Sequence, residues 1–232
     1  LYVTPNVQDF EEGWLDEGLA HVAEELLFYR ESKLSPRSNI NLPALQASQQ
    51  TVNAFNEDMG SNAGRYQSYL LKPSENSPFN TNDSLETRGA TWDLLRYLAD
   101  RKATSASASD APTWQALVST ARTGVTNLKA VFGNDLEARV RDWNISHYTD
   151  DFVSSVPTEL TQSSWNFHSI YPQVTSGKVY PLKVDPLSSA TGNHTLIGGA
   201  AAYYRFSIPA GSTANLTLTT QGPVAARVIR VR

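Results

Sequence analysis

The chain contains no cysteine. Disulfides, thiolate metal sites, iron–sulfur clusters and cysteine nucleophiles are thereby excluded. The compartment stays open, because disulfide-free proteins occur both inside and outside the cell. Positive charge is also sparse: charged residues make up 18% of the chain, the formal net charge is -4, and no Lys/Arg run exceeds two residues. A nucleic-acid binder needs a basic footprint that this sequence does not carry, so no nucleic-acid partner is expected. No apolar run approaches the ~20 residues that cross a bilayer, and the N-terminus lacks the basic-then-apolar order of a signal peptide. No membrane span is expected. The chain opens on Leu1 rather than Met, which reads as a mature product, a proteolytic fragment or an excised domain.

What is present suffices for a core. Hydrophobic residues are 40% of a 232-residue chain, enough to bury one large domain or two modest ones. The polar surface is rich in Ser, Thr, Asn and Gln and poor in Lys, a composition that leans towards export.

Helix signals dominate the first two thirds. Leu15, Leu19, Val22 and Leu26 recur with the period of a buried helical stripe, and Leu45, Val52, Phe55 and Met59 repeat it, with Gly60 where a C-cap belongs. "SNAGRYQSYLLKP" reads as a helix stopped before Pro73. Asp83 or Ser84 caps the next, which carries Leu85, Trp92, Leu95 and Leu98 on one face. "ATSASASDAP" is a polar small-residue loop. Pro112 fits the first turn of a short helix through Trp114 and Leu117. Two more helices follow, separated by Gly133 with Asn134 or Asp135 as cap, and helical order is expected to end near Asp151.

The tail differs in kind. Short alternating runs such as "GKVYPLKV", "AAYYRFSI", "ANLTLTT" and "AARVIRVR" are separated by "SSATGN", "PAGS" and "QGP", which are strand and turn signals. Together they predict a small antiparallel β-sandwich over 157–232 behind a helical part over 1–156, an α+β chain with "VPTELTQSSW" as the connection.

One stretch carries chemistry. On the first helix, Glu17, His21 and Glu24 stand at i, i+4 and i+7, a single polar face placed roughly opposite the apolar stripe. An outward polar face is what any surface helix shows. The surrounding residues add more: "GWLDEGLAHVAEE" resembles the glutamate-bearing motif of the gluzincin metallopeptidases, Trp-Leu-Asn-Glu-Gly-Leu/Phe-Ala followed by a further Glu. Trp14, Leu15, Glu17, Gly18, Leu19, Ala20 and Glu24 match, and Asp16 stands where Asn is commoner. Among gluzincins the chain resembles the hyicolysin-like branch of bacterial secreted peptidases. "RGATWDLLRYLADR", "GVTNLKAVFGNDLEARVRDW" and "AYYRFSIPAG" resemble later helices and the opening strand of a C-terminal β-module in those proteins.

The resemblance implies a zinc-dependent hydrolase of peptide or protein substrates, secreted or on the cell surface of a bacterium. Glu17 would be the third zinc ligand, with Gly18 and Ala20 allowing close helix approach and Asp16 or Glu24 orienting the site. Such a zinc has three protein ligands and a water whose pKa falls to ~7. The sequence departs from the family at the decisive point. No His-Glu-x-x-His exists in it, and the four histidines, His21, His147, His168 and His194, are far apart. In the family that helix lies roughly twenty residues or more before the glutamate, and only 16 residues precede Glu17 here. Either a catalytic segment preceding Leu1 is a missing partner of this chain, which would be inactive alone, or that segment was lost and a helical scaffold retains a vestigial glutamate. The alternative function is a non-catalytic helical and β-sandwich module that binds a cell-surface polymer or a partner protein.

Other features have plainer readings. His21 with Glu17 makes a two-point metal pair. His147, near Asp150 and Asp151, reads as a partly charged imidazole favoured by a helix C-terminus. "YTDD" and "TNDSLE" lack the ligand spacing of a calcium loop. Asn82, Asn144, Asn193 and Asn215 open glycosylation sequons that arise easily in a Ser/Thr-rich chain. Arg88 is the one candidate catalytic cation, aimed at a substrate carbonyl, or else a surface ion pair with Glu86 or another carboxylate. Tyr66, Tyr69 and Tyr97 are explained by helix packing, and of Tyr203 and Tyr204 one points inward and one outward.

Overall fold

A computed structural model describes residues 10–175, 177–187 and 193–231. It is mainly helical, with two short strands. Among the described residues no helix is long and apolar enough to cross a membrane. Helix α1 (Gly13–Ser32) closes on Lys33, whose left-handed backbone lets its N–H reach the Tyr29 carbonyl. After the single turn α2 (Leu42–Leu45), helix α3 (Gln49–Ala54) is capped by the Ser48 hydroxyl on the Thr51 N–H. A π-helical turn (Phe55–Met59) then leads into α4 (Gly60–Leu71). Gly60 therefore does not cap a helix: its φ of -56° and ψ of -39° are right-handed helical, and the chain continues through it.

Helix α5 (Leu85–Lys102), capped by Ser84 on the Thr87 N–H, is the centre of the molecule. The expected face is only part of what it buries, since α1 and α4 pack on it and α7 and α8 touch it. Trp92, Leu94, Leu95 and Leu98 are fully covered, as are the polar Thr91, Asp93 and Arg96, whereas Leu85 stays exposed. Two glycines set the helix spacing. A Cβ on Gly18 of α1 would overlap the Thr91 side chain, and one on Gly89 of α5 would overlap the backbone of Arg65 and Tyr66 in α4. The second clash is with main chain, which cannot swing aside.

Helices α6 (Ala111–Val118), α7 (Gly124–Phe132) and α8 (Leu136–Thr149) complete the helical body, with Pro112 in the first turn of α6 and Gly133 at φ 108° between α7 and α8. The expected connection after Pro157 contributes to this core. A 3-10 turn (Thr158–Leu160) buries Leu160, Trp165 bridges to Ile40, and α9 (Phe167–Val174) buries Phe167, Ile170 and Tyr171. Trp165 packs its ring 5.1 Å from Phe28 and 5.7 Å from Phe167.

Beyond α9, strand β1 (Asp185–Pro186) pairs with β2 (Tyr204–Arg205) in parallel. No second sheet faces them among the described residues, and the pair is parallel where an antiparallel sandwich was expected. Side chains that a sandwich would cover, such as Leu216 and Leu218, are exposed. The turn expected at 188–193 lies outside the described residues except for Asn193.

Candidate functional site

Where the first turns of α1 meet α4 and α5, five charged side chains and one imidazole gather. Helix α1 is rich in acid, and α4 has Arg65 as its one charged residue. Packing α1 on α5 at the Gly18–Thr91 contact sets Glu17 beside Arg88, which stands one residue before Gly89. The Glu17 carboxylate is about one third exposed and lies 3.0 Å from Nη1 of Arg88. The rest of that guanidinium is held by Asp83, with Nε and Nη2 each 2.8 Å from a carboxylate oxygen. The hydrogen bond to Arg88 holds the Asp83 carboxyl below the usual carboxylate range and raises Arg88 in turn. Asp83 thus clamps Arg88, while Ser84 serves as the helix cap.

His21 departs from its expected position. It is only 3% exposed, on the buried side of α1 with Gly18, Val22 and Glu25, because the covered face of the helix is rotated from the Leu19–Leu26 line, and Leu26 is exposed. Its Nδ1 is 3.1 Å from Glu24 Oε2 and 3.3 Å from Arg65 Nη1. Its Nε2 is 3.9 Å from Glu17 Oε2 and has no hydrogen-bond partner. Burial, then the charge of Arg65, hold the imidazole below its usual pKa, against the pull of Glu24 and Glu17. Arg65 Nη1 also donates to Glu24 at 3.2 Å and to Asn62 Oδ1 at 2.8 Å, while the Asn62 amide donates to the His21 carbonyl. Asp16 is exposed in the first turn of α1.

The structure thus brings Glu17, His21, Glu24 and Arg88 into one patch. It adds Asp83 and Arg65, which the sequence reading did not assign to it. Arg65 had a signal, a lone cation on α4 facing an acidic helix; Asp83 was read only as a cap. Among the described residues no three His, Cys, Asp or Glu side chains are grouped to hold a metal ion. Zinc would find part of a ligand set here: Glu17 is a carboxylate about one third exposed on a rigid helix, and a buried imidazole nitrogen without a partner faces it.

The remaining histidines lie elsewhere. His147 is 1% exposed, with Nε2 3.5 Å from Asp93 and Nδ1 3.0 Å from the Tyr203 hydroxyl. Burial depresses its pKa against the hydrogen bond and charge of Asp93, and the imidazole read as lying at a helix end sits inside the core. His168 stacks on Tyr180 at 3.7 Å, and burial pushes its pKa down to about 4. His194 lies 3.5 Å from Asp185. Asn144 is buried, its amide donating to the Val140 and Gly199 carbonyls, so that sequon is closed to modification. Comparison with protein-family models, curated proteins and solved structures finds no match to this chain.

Proposed function

We propose that this chain is the C-terminal portion of a secreted zinc-dependent metalloprotease of the gluzincin kind. Glu17 would supply its third zinc ligand, and the two histidines would come from a His-Glu-x-x-His helix that these 232 residues do not contain. The observation that carries this reading is Glu17 itself, a carboxylate in a Trp-Leu-Asp-Glu-Gly-Leu-Ala frame, left about one third open while its helix is locked onto α5. When bound, zinc supplies a Lewis acid and an acidified water. The residues of this chain do the positioning. Gly18 lets α1 approach α5, Asp83 orients Arg88, and Arg88 neutralises Glu17 until a metal does. A peptide or protein would be the substrate, and Arg88, the more exposed of the two cations in the patch, would meet its carbonyl.

A β-sandwich in the tail belongs to the same proposal, confined to the residues beyond α9 because Thr158–Leu160 and Phe167–Val174 are helical. Its support is the alternation of apolar residues in the tail, whose exposed Leu216, Leu218, Val224 and Val228 call for cover. These exposed side chains also favour the second reading, a non-catalytic module that docks a cell-surface polymer or partner protein through the tail.

Zinc content after exhaustive dialysis separates the two. Elemental analysis of the longer product of the same gene, beside this chain, should give one tightly retained zinc in the longer protein alone. Glu17→Gln in the longer protein should remove that zinc and peptidase activity, with Glu24→Gln less severe. A longer protein without retained zinc, or Glu17→Gln with wild-type zinc and activity, overturns the protease reading.

A further inference from the structure

The hydrogen-bond partners around His21 favour one tautomer. Nη1 of Arg65 carries two hydrogens, and Asn62 Oδ1 at 2.8 Å and Glu24 Oε2 at 3.2 Å take both. With both better acceptors engaging Arg65, the carboxylate of Glu24 at 3.1 Å favours the tautomer in which Nδ1 is the ring N–H and donates to it, over the one in which Nδ1 accepts from Arg65 at 3.3 Å. The lone pair is then on Nε2, which is buried and without a hydrogen-bond partner. What faces it is Oε2 of Glu17 at 3.9 Å, itself an acceptor. A buried lone pair facing a carboxylate oxygen that is about one third exposed offers two donor atoms to a cation entering from solvent.

The geometry points to a divalent transition-metal site within this chain, with His21 Nε2 and Glu17 as the protein ligands and Glu24 orienting the imidazole. It does not depend on any His-Glu-x-x-His helix. A ligating histidine characteristically donates its other ring N–H to a carboxylate, and Glu24 already accepts that bond. An i, i+4 pair projects both groups to the same side of one helix turn. A metal about 2.1 Å from both atoms in tetrahedral geometry sets them about 3.4 Å apart, so the observed 3.9 Å closes by a small rotation of the Glu17 side chain. Imidazole with carboxylate favours zinc, copper or nickel over calcium or magnesium, with water filling the other positions.

Arg88 is the competitor. Its Nη1 holds the same Glu17 oxygen at 3.0 Å, yet Asp83 grips its other two nitrogens and can keep the guanidinium when Glu17 turns away. Arg88 therefore lowers metal affinity rather than abolishing it, and Arg88→Ala should strengthen binding.

The test is a titration of this 232-residue chain with zinc chloride, followed by calorimetry, and with copper(II), followed by electron paramagnetic resonance. The expected result is one zinc per chain and a copper spectrum with a single imidazole nitrogen. His21→Gln and Glu17→Gln should each weaken zinc at least tenfold, Glu24→Gln by about tenfold, and Arg88→Ala should tighten it. His194→Gln, which removes the exposed imidazole beside Asp185, should change nothing. Absence of zinc binding, a copper spectrum without nitrogen, or binding lost in His194→Gln and kept in His21→Gln overturns the proposal. Any of these leaves the protease reading standing, because that is decided by retained zinc in the longer protein.

Discussion

The indole N–H of Trp165 donates to Oε1 of Glu25 at 2.7 Å, across 140 positions of sequence. The same carboxylate accepts from the Tyr29 hydroxyl at 3.0 Å and lies 3.6 Å from Arg96. Arg96 in turn meets Asp100 at 2.8 Å and Asp110 at 2.6 Å, and Arg37 meets Asp110 at 2.7 Å. This buried chain of charges ties α1, α5, the start of α6 and the segment before α9 into one body. Removing one member strands the others, which makes such networks costly to break.

Glu25 makes the network sensitive to pH. Burial pushes its pKa from 4.5 up to about 7, against Arg96 and the Trp165 bond, with Asp100 adding to the rise and Tyr29 opposing it. A carboxyl raised in the folded state binds more protons there than when unfolded. Its stabilising contribution is complete below about 4.5 and is lost as pH rises towards about 7. Wild-type stability relative to Glu25→Gln, which cannot ionise, should therefore fall by on the order of 2 kcal/mol from pH 4.5 to pH 7.5. Urea unfolding of both proteins at several pH values measures this, and a difference that stays constant with pH rules it out.

Gly89 and Gly64 should respond oppositely to the same change. A methyl on Gly89 meets the Arg65 and Tyr66 backbone, so Gly89→Ala should cost about 2–3 kcal/mol by forcing α4 and α5 apart. Gly64 is exposed in α4 with open space at its Cβ position, and Gly64→Ala should gain about 0.5–1 kcal/mol from helix propensity and a less disordered unfolded state. Chemical denaturation of the two variants compares them directly. Equal effects would mean that α4 and α5 do not approach as closely as the Gly89 contact requires.

Much of this scaffold was legible in the sequence, and the illegible parts share a physical cause. Ser84, Pro112 and Gly133 act as read, because caps and breakers are local chemistry. Gly60 misled because a glycine caps a helix only when its φ is positive, and here the neighbouring π turn carries the chain onward. Glu25, Asp93 and Arg96 drew no reading at all, since periodicity counts apolar side chains and cannot see a polar one whose partners arrive from far along the chain. The spacing of Gly18, Val22, Glu25 and Tyr29 did hold a clue, as these four share the covered side of α1. In the candidate site Glu17 and Glu24 drew attention through the motif around them, whereas burial of His21 depends on how α1 is rotated against α4 and α5, which no local pattern fixes.

Tyr203 is the hinge between the helical body and the strand pair. Its hydroxyl donates to the Asn144 carbonyl at 2.6 Å and meets His147 Nδ1 at 3.0 Å, and its own carbonyl accepts from Asp185 at 2.9 Å. Tyr203→Phe removes the first two bonds and should cost about 1–2 kcal/mol. The loss should be local. Amide exchange at Asp185 and Leu187, which donate into the β2 strand, should accelerate while α5 stays protected. Uniform acceleration would instead mean that strand pair and core open together.

Glu17 and Glu24 should matter little for folding, which separates their chemistry from structure. Both are about one third exposed, and their ion pairs with Arg88 and Arg65 lie at the edge of the helix bundle. Pairs of this kind are worth roughly 0–1 kcal/mol, so Glu17→Gln and Glu24→Gln should each shift stability by less than about 1 kcal/mol. Their effect on metal should be far larger. Glu17 projects from the buried turn that holds Trp14, Leu15 and Gly18, and neutralising it leaves that packing intact while removing the one carboxylate oxygen that faces His21 Nε2. Thermal unfolding of the two variants in the presence of a chelator reads the folding term alone. A loss of several kcal/mol in Glu17→Gln under those conditions would mean that the residue is held in place for the helix bundle rather than for a cation.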